Sequence, residues 1–180
     1  MRRRPPSDTM AAVRDAGKII ERVRLAAVRE AADDLVGADA LIQLGLDALT
    51  AGIDSPSLPL LAGLTRAEEP DARVLFHRVA DELGLAVDLP EDPAARRRAL
   101  VLWWARFVVD GVLDPAEGAH RICREADGPR ESLATLEDLL VSYEDRSTSA
   151  TAPEGELQAL ADRIVAEAAV LLSAEPCPPR

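Results

Sequence analysis

The sequence predicts an all-α fold, a compact bundle of about six or seven helices. Three observations carry that expectation. Apolar residues recur at spacings of three and four along most of the chain. Capping residues and Asp-Pro pairs open the periodic segments, and Gly closes several of them. No alternating β-branched run flanks an Asn-Gly or Asp-Gly turn, and Asp110-Gly111 sits between helical patterns instead.

Residues 1–9 carry Arg and Pro without apolar periodicity and read as a disordered N-terminus. Thr9 or Asp8 can cap a first helix that reaches Glu30 or Leu35. Val13, Ile20, Val23 and Ala27 form its apolar face, and Arg14, Lys18 and Arg22 form a basic stripe on another. Asp33-Asp34 and Gly37 mark a break. A second helix covers 38–51, with Leu41, Ile42, Leu46 and Leu49 as a broad apolar face. Gly45 would let another helix approach, and Gly52 suits the left-handed residue that ends a helix. A short apolar piece follows over 58–64, interrupted by Pro59.

Thr65 and Glu68 have capping-box spacing. Pro70 fits the first turn of a helix over 71–83 in which Phe76, Val79, Ala80 and Leu83 face one way. Asp92-Pro93 then opens a long helix to Val109 or Asp110. It holds Trp103, Trp104 and Phe107, three of the five aromatic residues, and is the expected central core helix. Gly111 stops it, and Asp114-Pro115-Ala116-Glu117 restarts the chain with a cap, Pro at the first helical position and Glu at the third. That helix ends near Asp127-Gly128-Pro129. The next covers 131–143, with Leu133, Leu136, Leu139 and Leu140 inward. Residues 145–153 are low in complexity and read as a linker. A final helix over 154–173 carries Leu157, Leu160, Ile164, Ala168 and Leu171, and 174–180 is a Pro-rich tail. The expected helical domain is 10–144, with the last helix beyond the linker.

The chain has 180 residues, 21 basic and 32 acidic, with a net charge of -11. That balance argues against a general nucleic-acid binder, which needs a basic face. The charge is uneven: +5 over 1–29, -11 over 30–92 and -5 over 93–180. The bland reading of the middle segment is a solvated acidic surface; the sharper one is a face for a basic partner. Its candidate contact residues are Glu68, Glu69, Asp71, Asp81, Glu82, Asp88 and Glu91. No apolar run approaches the roughly 18 residues of a spanning helix. Arg2-Arg3-Arg4 is followed by Pro5-Pro6-Ser7-Asp8 and not by an apolar signal core, so cytoplasmic is the expected location, with no membrane partner.

Groups for chemistry are few: two His, two Cys and one Tyr. Glu117, His120 and Cys123 recur every three residues and share a helix face. Glu-x-x-His is half of the ligand set of di-metal bundles, but the other histidine, His77, has Val74 three places before it. The alternative to a metal site is a capping Glu, a surface His and a buried apolar Cys. His77 has Asp81 four places on as a possible ion-pair partner. There is no phosphate loop, no G-x-S-x-G and no CxxC. No cofactor and no catalytic residue are expected. Residues 58–83 have the outline of a DNA-binding helix-turn-helix, yet Glu68, Glu69 and Asp71 stand where such a helix would meet phosphates.

Leu44-Gly45-Leu46-Asp47-Ala48-Leu49-Thr50-Ala51-Gly52, leading into Ser55-Pro56-Ser57-Leu58, and the stretch Asp110-Gly111-Val112-Leu113-Asp114-Pro115-Ala116-Glu117-Gly118-Ala119 together give a resemblance. They resemble small acidic helical proteins of high-GC bacteria for which no activity is known. The resemblance spans about 39–145 and implies a fold, since its motifs are turn and capping chemistry. The functional expectation is a non-enzymatic, protein-binding helical protein, such as an immunity or inhibitor protein with an acidic surface against a basic partner. The alternatives are a metal-binding or enzymatic protein centred on Glu117, His120 and Cys123, and a transcriptional regulator.

Overall fold

A computed structural model describes residues 7–126, 133–148 and 154–174, with side chains at all of these except 7–13, 66, 67, 69 and 154. Every regular element among them is helical. The order is α1 (Ser7–Ala31), α2 (Ala38–Thr50), α3 (Leu58–Ala62), a 3-10 helix (Arg66–Asp71), α4 (Ala72–Glu82), α5 (Pro93–Val109), α6 (Pro115–Glu125), α7 (Ala134–Ser147) and α8 (Glu154–Ala174). The chain forms two compact units, Met1–Asp88 and Leu89–Arg180. The break falls inside the 10–144 span read from sequence as one domain.

In the first unit α2 packs on α1, α3 and α4. The buried row of α2 is Leu41, Leu44, Gly45 and Ala48. Leu46 and Leu49 are 43% and 38% exposed, so the broad apolar face expected of α2 is narrower than its composition suggests. The reason is phase: 41, 44, 45 and 48 lie within one helical stripe, whereas 46 falls on the opposite side. Gly45 sits where a Cβ would come 3.1 Å from Leu61 Cγ, which is the close approach expected of it. Phe76, on α4, is 1% exposed in the centre of this core.

In the second unit α5 packs on α6 and α8, and α7 on α6 and α8. Trp104 and Phe107 are fully buried, and the Trp103 and Phe107 rings stack with centroids 5.6 Å apart. The aromatic helix is therefore central to this unit. Ile164 and Ala168 of α8 are also fully buried.

The helix signals act locally as the sequence predicts. Asp92 Oδ2 accepts from Ala95 N at 2.7 Å, and Asp114 Oδ1 accepts from Ala116 N and Glu117 N. Both caps precede Pro at the first turn, where its missing N–H costs nothing. Gly52, Gly84 and Gly111 take φ of 76°, 66° and 68°. After each, the next N–H reaches back six residues inclusive: Ile53 to Ala48 O, Leu85 to Ala80 O, Val112 to Phe107 O. This is the Schellman closure.

Some boundaries differ. α1 begins at Ser7 and takes in the last three residues of the segment expected to be disordered. Pro70 lies in the 3-10 helix, and α4 starts two residues after it. Residues 145–147 continue α7, because the hydroxyls of Ser147 and Thr148 bond back to Glu144 O and Arg146 pairs with Glu156 of α8 at 2.5 Å. The expected helix end near 127–129, the helix start at 131, the rest of the linker and most of the tail lie outside the described residues.

Candidate functional site

The seven acids expected to face a partner have three different fates. Glu68 Oε2 takes both the backbone N–H and the hydroxyl of Thr65, at 3.0 and 2.7 Å, so it caps the 3-10 helix. Thr65's hydroxyl leads and its backbone N–H follows in holding this carboxyl below the usual range. Glu82 Oε1 accepts Ser57 Oγ at 2.7 Å and its Oε2 accepts Ser57 N at 2.9 Å, along with Ser55 Oγ. Ser55 and Ser57 are buried, so Glu82 ties the end of α4 to the loop before α3. These donors, Ser55 first, hold its carboxyl below the usual range. Two of the seven therefore serve the fold. Asp71, Asp81 and Asp88 are exposed, without a partner among the described residues. The Glu69 side chain lies outside the described set. Glu91 is exposed but belongs to the second unit.

Four cations of the first unit are paired among the described residues. Arg22 bonds Asp47 at 2.8 Å, Arg24 bonds Glu21 at 2.5 Å, Arg29 bonds Asp34 at 2.8 Å and Arg73 bonds Glu30 at 2.7 Å. Arg14 and Lys18 are exposed on α1, and Arg78 on α4, where it lowers the Glu82 carboxyl electrostatically.

Glu30 was not singled out by sequence. Its side chain is 2% exposed. One oxygen accepts Val36 N at 2.7 Å; the other meets Arg73 Nε and lies 3.8 Å from His77 Nε2. The neighbour of His77 is thus a carboxylate of α1, where the sequence suggested Asp81. A signal was present: Glu30 continues the stripe Val23, Ala26, Ala27 at helical spacing, a charge in an apolar phase.

Glu117, His120 and Cys123 share α6 but not a centre. Glu117's own N–H is capped by Asp114, while its carboxylate holds Arg121 Nη2 at 2.8 Å and Nε at 3.1 Å. The capping role expected of that carboxylate belongs to Asp114. Arg121 is buried, with its guanidinium carbon 5.0 Å from the Trp104 ring centroid, a cation–π contact. His120 Nε2 meets Glu144 Oε1 of α7 at 2.6 Å. Cys123 is half-buried, and burial pushes its thiol up, with Glu137 adding to the shift, so it is a poor nucleophile. Among the described residues no three His, Cys, Asp or Glu are grouped to hold a metal ion.

Two grooves remain. One of about 460 Å³ lies between α7 and α8, bridged by the Arg146–Glu156 pair and flanked by Asp145 and Arg163. The other, about 410 Å³, lies between α1 and α2 and is lined by Asp15, Ile19, Asp47, Thr50 and Ala51. Among the described residues no helix is long and apolar enough to cross a membrane. Compared with models of protein families, with curated proteins and with solved structures, the sequence matches none.

Proposed function

We propose that this is a non-enzymatic protein that binds a basic protein partner through the acidic surface of its first unit. One observation carries the reading. Arg22, Arg24, Arg29 and Arg73 are consumed by carboxylates of the same unit, while Asp71, Asp81 and Asp88 are exposed and pair with no cation among the described residues. Such charges cost nothing to desolvate until a partner arrives, and they speed encounter with a cationic surface. The inhibitor form of the reading is a one-to-one complex in which the acids cover a basic effector domain.

The three aspartates can be neutralised without loss of fold. Asp71 precedes α4 but makes no side-chain cap bond. Immobilised full chain should retain basic proteins from a cell lysate at low salt and release them as salt rises. The D71N/D81N/D88N variant should retain far less. An empty native column at low salt, or an unchanged set of proteins on the variant, would overturn the reading.

A further inference from the structure

The outer side of α2 keeps a second apolar stripe. Ile42, Leu46 and Leu49 follow one another at spacings of four and three, in one line along the helix. The core takes the other line, Leu41, Leu44, Gly45 and Ala48. Leu46 and Leu49 stay 43% and 38% exposed, and Ile42 is half-buried. Gly45, where α3 packs through Leu61, is three places from Ile42 and four from Leu49, so α3 borders the stripe. On α3, Leu60 is 59% exposed while Leu58 and Leu61 are buried. Both helices of this pair therefore carry apolar surface that the fold does not cover.

The charges carried by this pair of helices have one sign. No Lys, Arg or His stands between Arg29 and Arg66, a span that takes in α2, α3 and their connection. Asp39 lies one turn before Ile42, and Asp54 follows the Gly52 that closes α2. Both are exposed, without a partner among the described residues. Arg22 meets α2 at Asp47, on a different face of the helix from the stripe. An apolar line with an unpaired acid at each end fits a helix with apolar residues at matching spacing and a cation near each end. A second copy of the chain fits badly. Laid parallel, its α2 would set Asp39 against Asp39; laid antiparallel, Asp39 against Asp54. Like charges brought together across an interface cost affinity. We propose that the stripe Ile42, Leu46 and Leu49, bordered by α3, docks an amphipathic helix of the basic protein partner, its apolar side on the stripe and its cations toward Asp39 and Asp54. This rests on the binding function proposed above and gives it an apolar anchor on a different element from Asp71, Asp81 and Asp88.

The test titrates the full chain, labelled with ¹⁵N, with a synthetic helical peptide that has Leu at spacings of four and three and Lys near both ends. One control peptide scatters the same leucines round the helix. A second keeps the leucines and replaces Lys by Glu. Saturable shifts centred on the amides of Ile42, Leu46 and Leu49 are expected with the first peptide alone. Leu46→Ser/Leu49→Ser should weaken that binding about tenfold. Asp39→Asn/Asp54→Asn should weaken it about threefold, and D71N/D81N/D88N should leave it unchanged. Equal binding of a control peptide, unchanged affinity in the leucine or the Asp39/Asp54 variant, or shifts centred away from α2 would overturn the stripe. If the leucine variant does not fold, the Asp39/Asp54 variant decides alone. Self-association in analytical ultracentrifugation that Leu46→Ser/Leu49→Ser abolishes would also overturn it, because the occupant would then be a second copy of the chain. The two proposals fail separately. No peptide binding, with protein capture still lost in the triple variant, removes only the stripe. Peptide binding at α2, with capture unaltered in the triple variant, removes only the acidic surface.

Discussion

In each unit two helices close on a glycine, and the two contacts differ in tightness. A Cβ at Gly45 would stand 3.1 Å from Leu61 Cγ and 3.3 Å from Ala62 N. At Gly118 it would fall 2.0 Å from Val108 Cγ2. The first is a crowded contact, the second an impossible one. Val108 is β-branched and 2% exposed, so its methyl cannot swing away. At Gly118 the space for a Cβ is filled by the Val108 side chain, whereas at Gly45 the Leu61 side chain and a backbone nitrogen crowd it without occupying it. The second unit depends on shape at this point, and the first has some tolerance.

The largest expected effect follows from that difference. Gly118→Ala should destabilise the second unit by about 3 kcal/mol, the upper part of the range for overpacking, even after the helix gains from Ala. Both tryptophans lie on α5, so Trp fluorescence in urea reports the second unit alone. A midpoint equal to that of the native chain would break the comparison.

Glu30→Ala should come next, at about 2 kcal/mol in the first unit. It removes the acceptor of a buried backbone donor, Val36 N, and the partner of Arg73. Arg73 is 45% exposed and can turn to water, which limits the loss. Glu30→Gln keeps an acceptor for Val36 N and should recover about half of it. Amide exchange in α1 and α4 measures the effect, while Trp fluorescence should not move. A shift in fluorescence would show that the two units do not unfold separately.

These two positions also mark where sequence stops being enough. Asp92-Pro93 and Asp114-Pro115 were legible because a cap acts within three residues of itself. Gly52, Gly84 and Gly111 were legible because a left-handed turn is a local demand. Trp103, Trp104 and Phe107 identified a core helix by size. Nothing local in Glu117-Gly118-Ala119-His120 marks Gly118 as a packing contact, since its neighbour Val108 lies across a turn. Glu30 is held by Arg73, 43 positions on, and no periodicity reports such a pairing. The acidic segment was visible as charge, but which acids it spends was not. Glu82 needed the position of Ser55 and Ser57, which only the packing of α3 and α4 provides.

Glu82 offers a smaller, pH-dependent effect. Its carboxyl is held below the ordinary value of 4.5 in the folded chain. A folded value below the unfolded one means stability that is present above the ordinary value and lost as pH falls through the folded one. The Ser55–Glu82–Ser57 tie should therefore weaken below about pH 4.5 and be intact at neutrality. Glu82→Gln should raise amide exchange in α4 at pH 6 and lose most of that difference from the native chain at pH 3. A constant difference across this range would mean that the carboxylate charge contributes nothing to the tie.

Gly45→Ala is the smallest effect and the sharpest control on Gly118→Ala. Two terms oppose each other. Replacing a mid-helix Gly by Ala favours the helix by about 0.8–1 kcal/mol. The new Cβ presses on Leu61, which is 1% exposed, and on Ala62 N, a backbone atom that cannot yield alone. A shift of a few tenths of an ångström in the five-residue α3 would relieve both contacts, at a cost close to the helix gain. The variant should stay within about 0.5 kcal/mol of native, read from exchange of the α2 and α3 amides. A loss as large as that of Gly118→Ala would show that α3 is held as rigidly as α6. The Glu82 tie to Ser55 and Ser57, just ahead of α3, would then be the reason, and adding Glu82→Gln should return the tolerance.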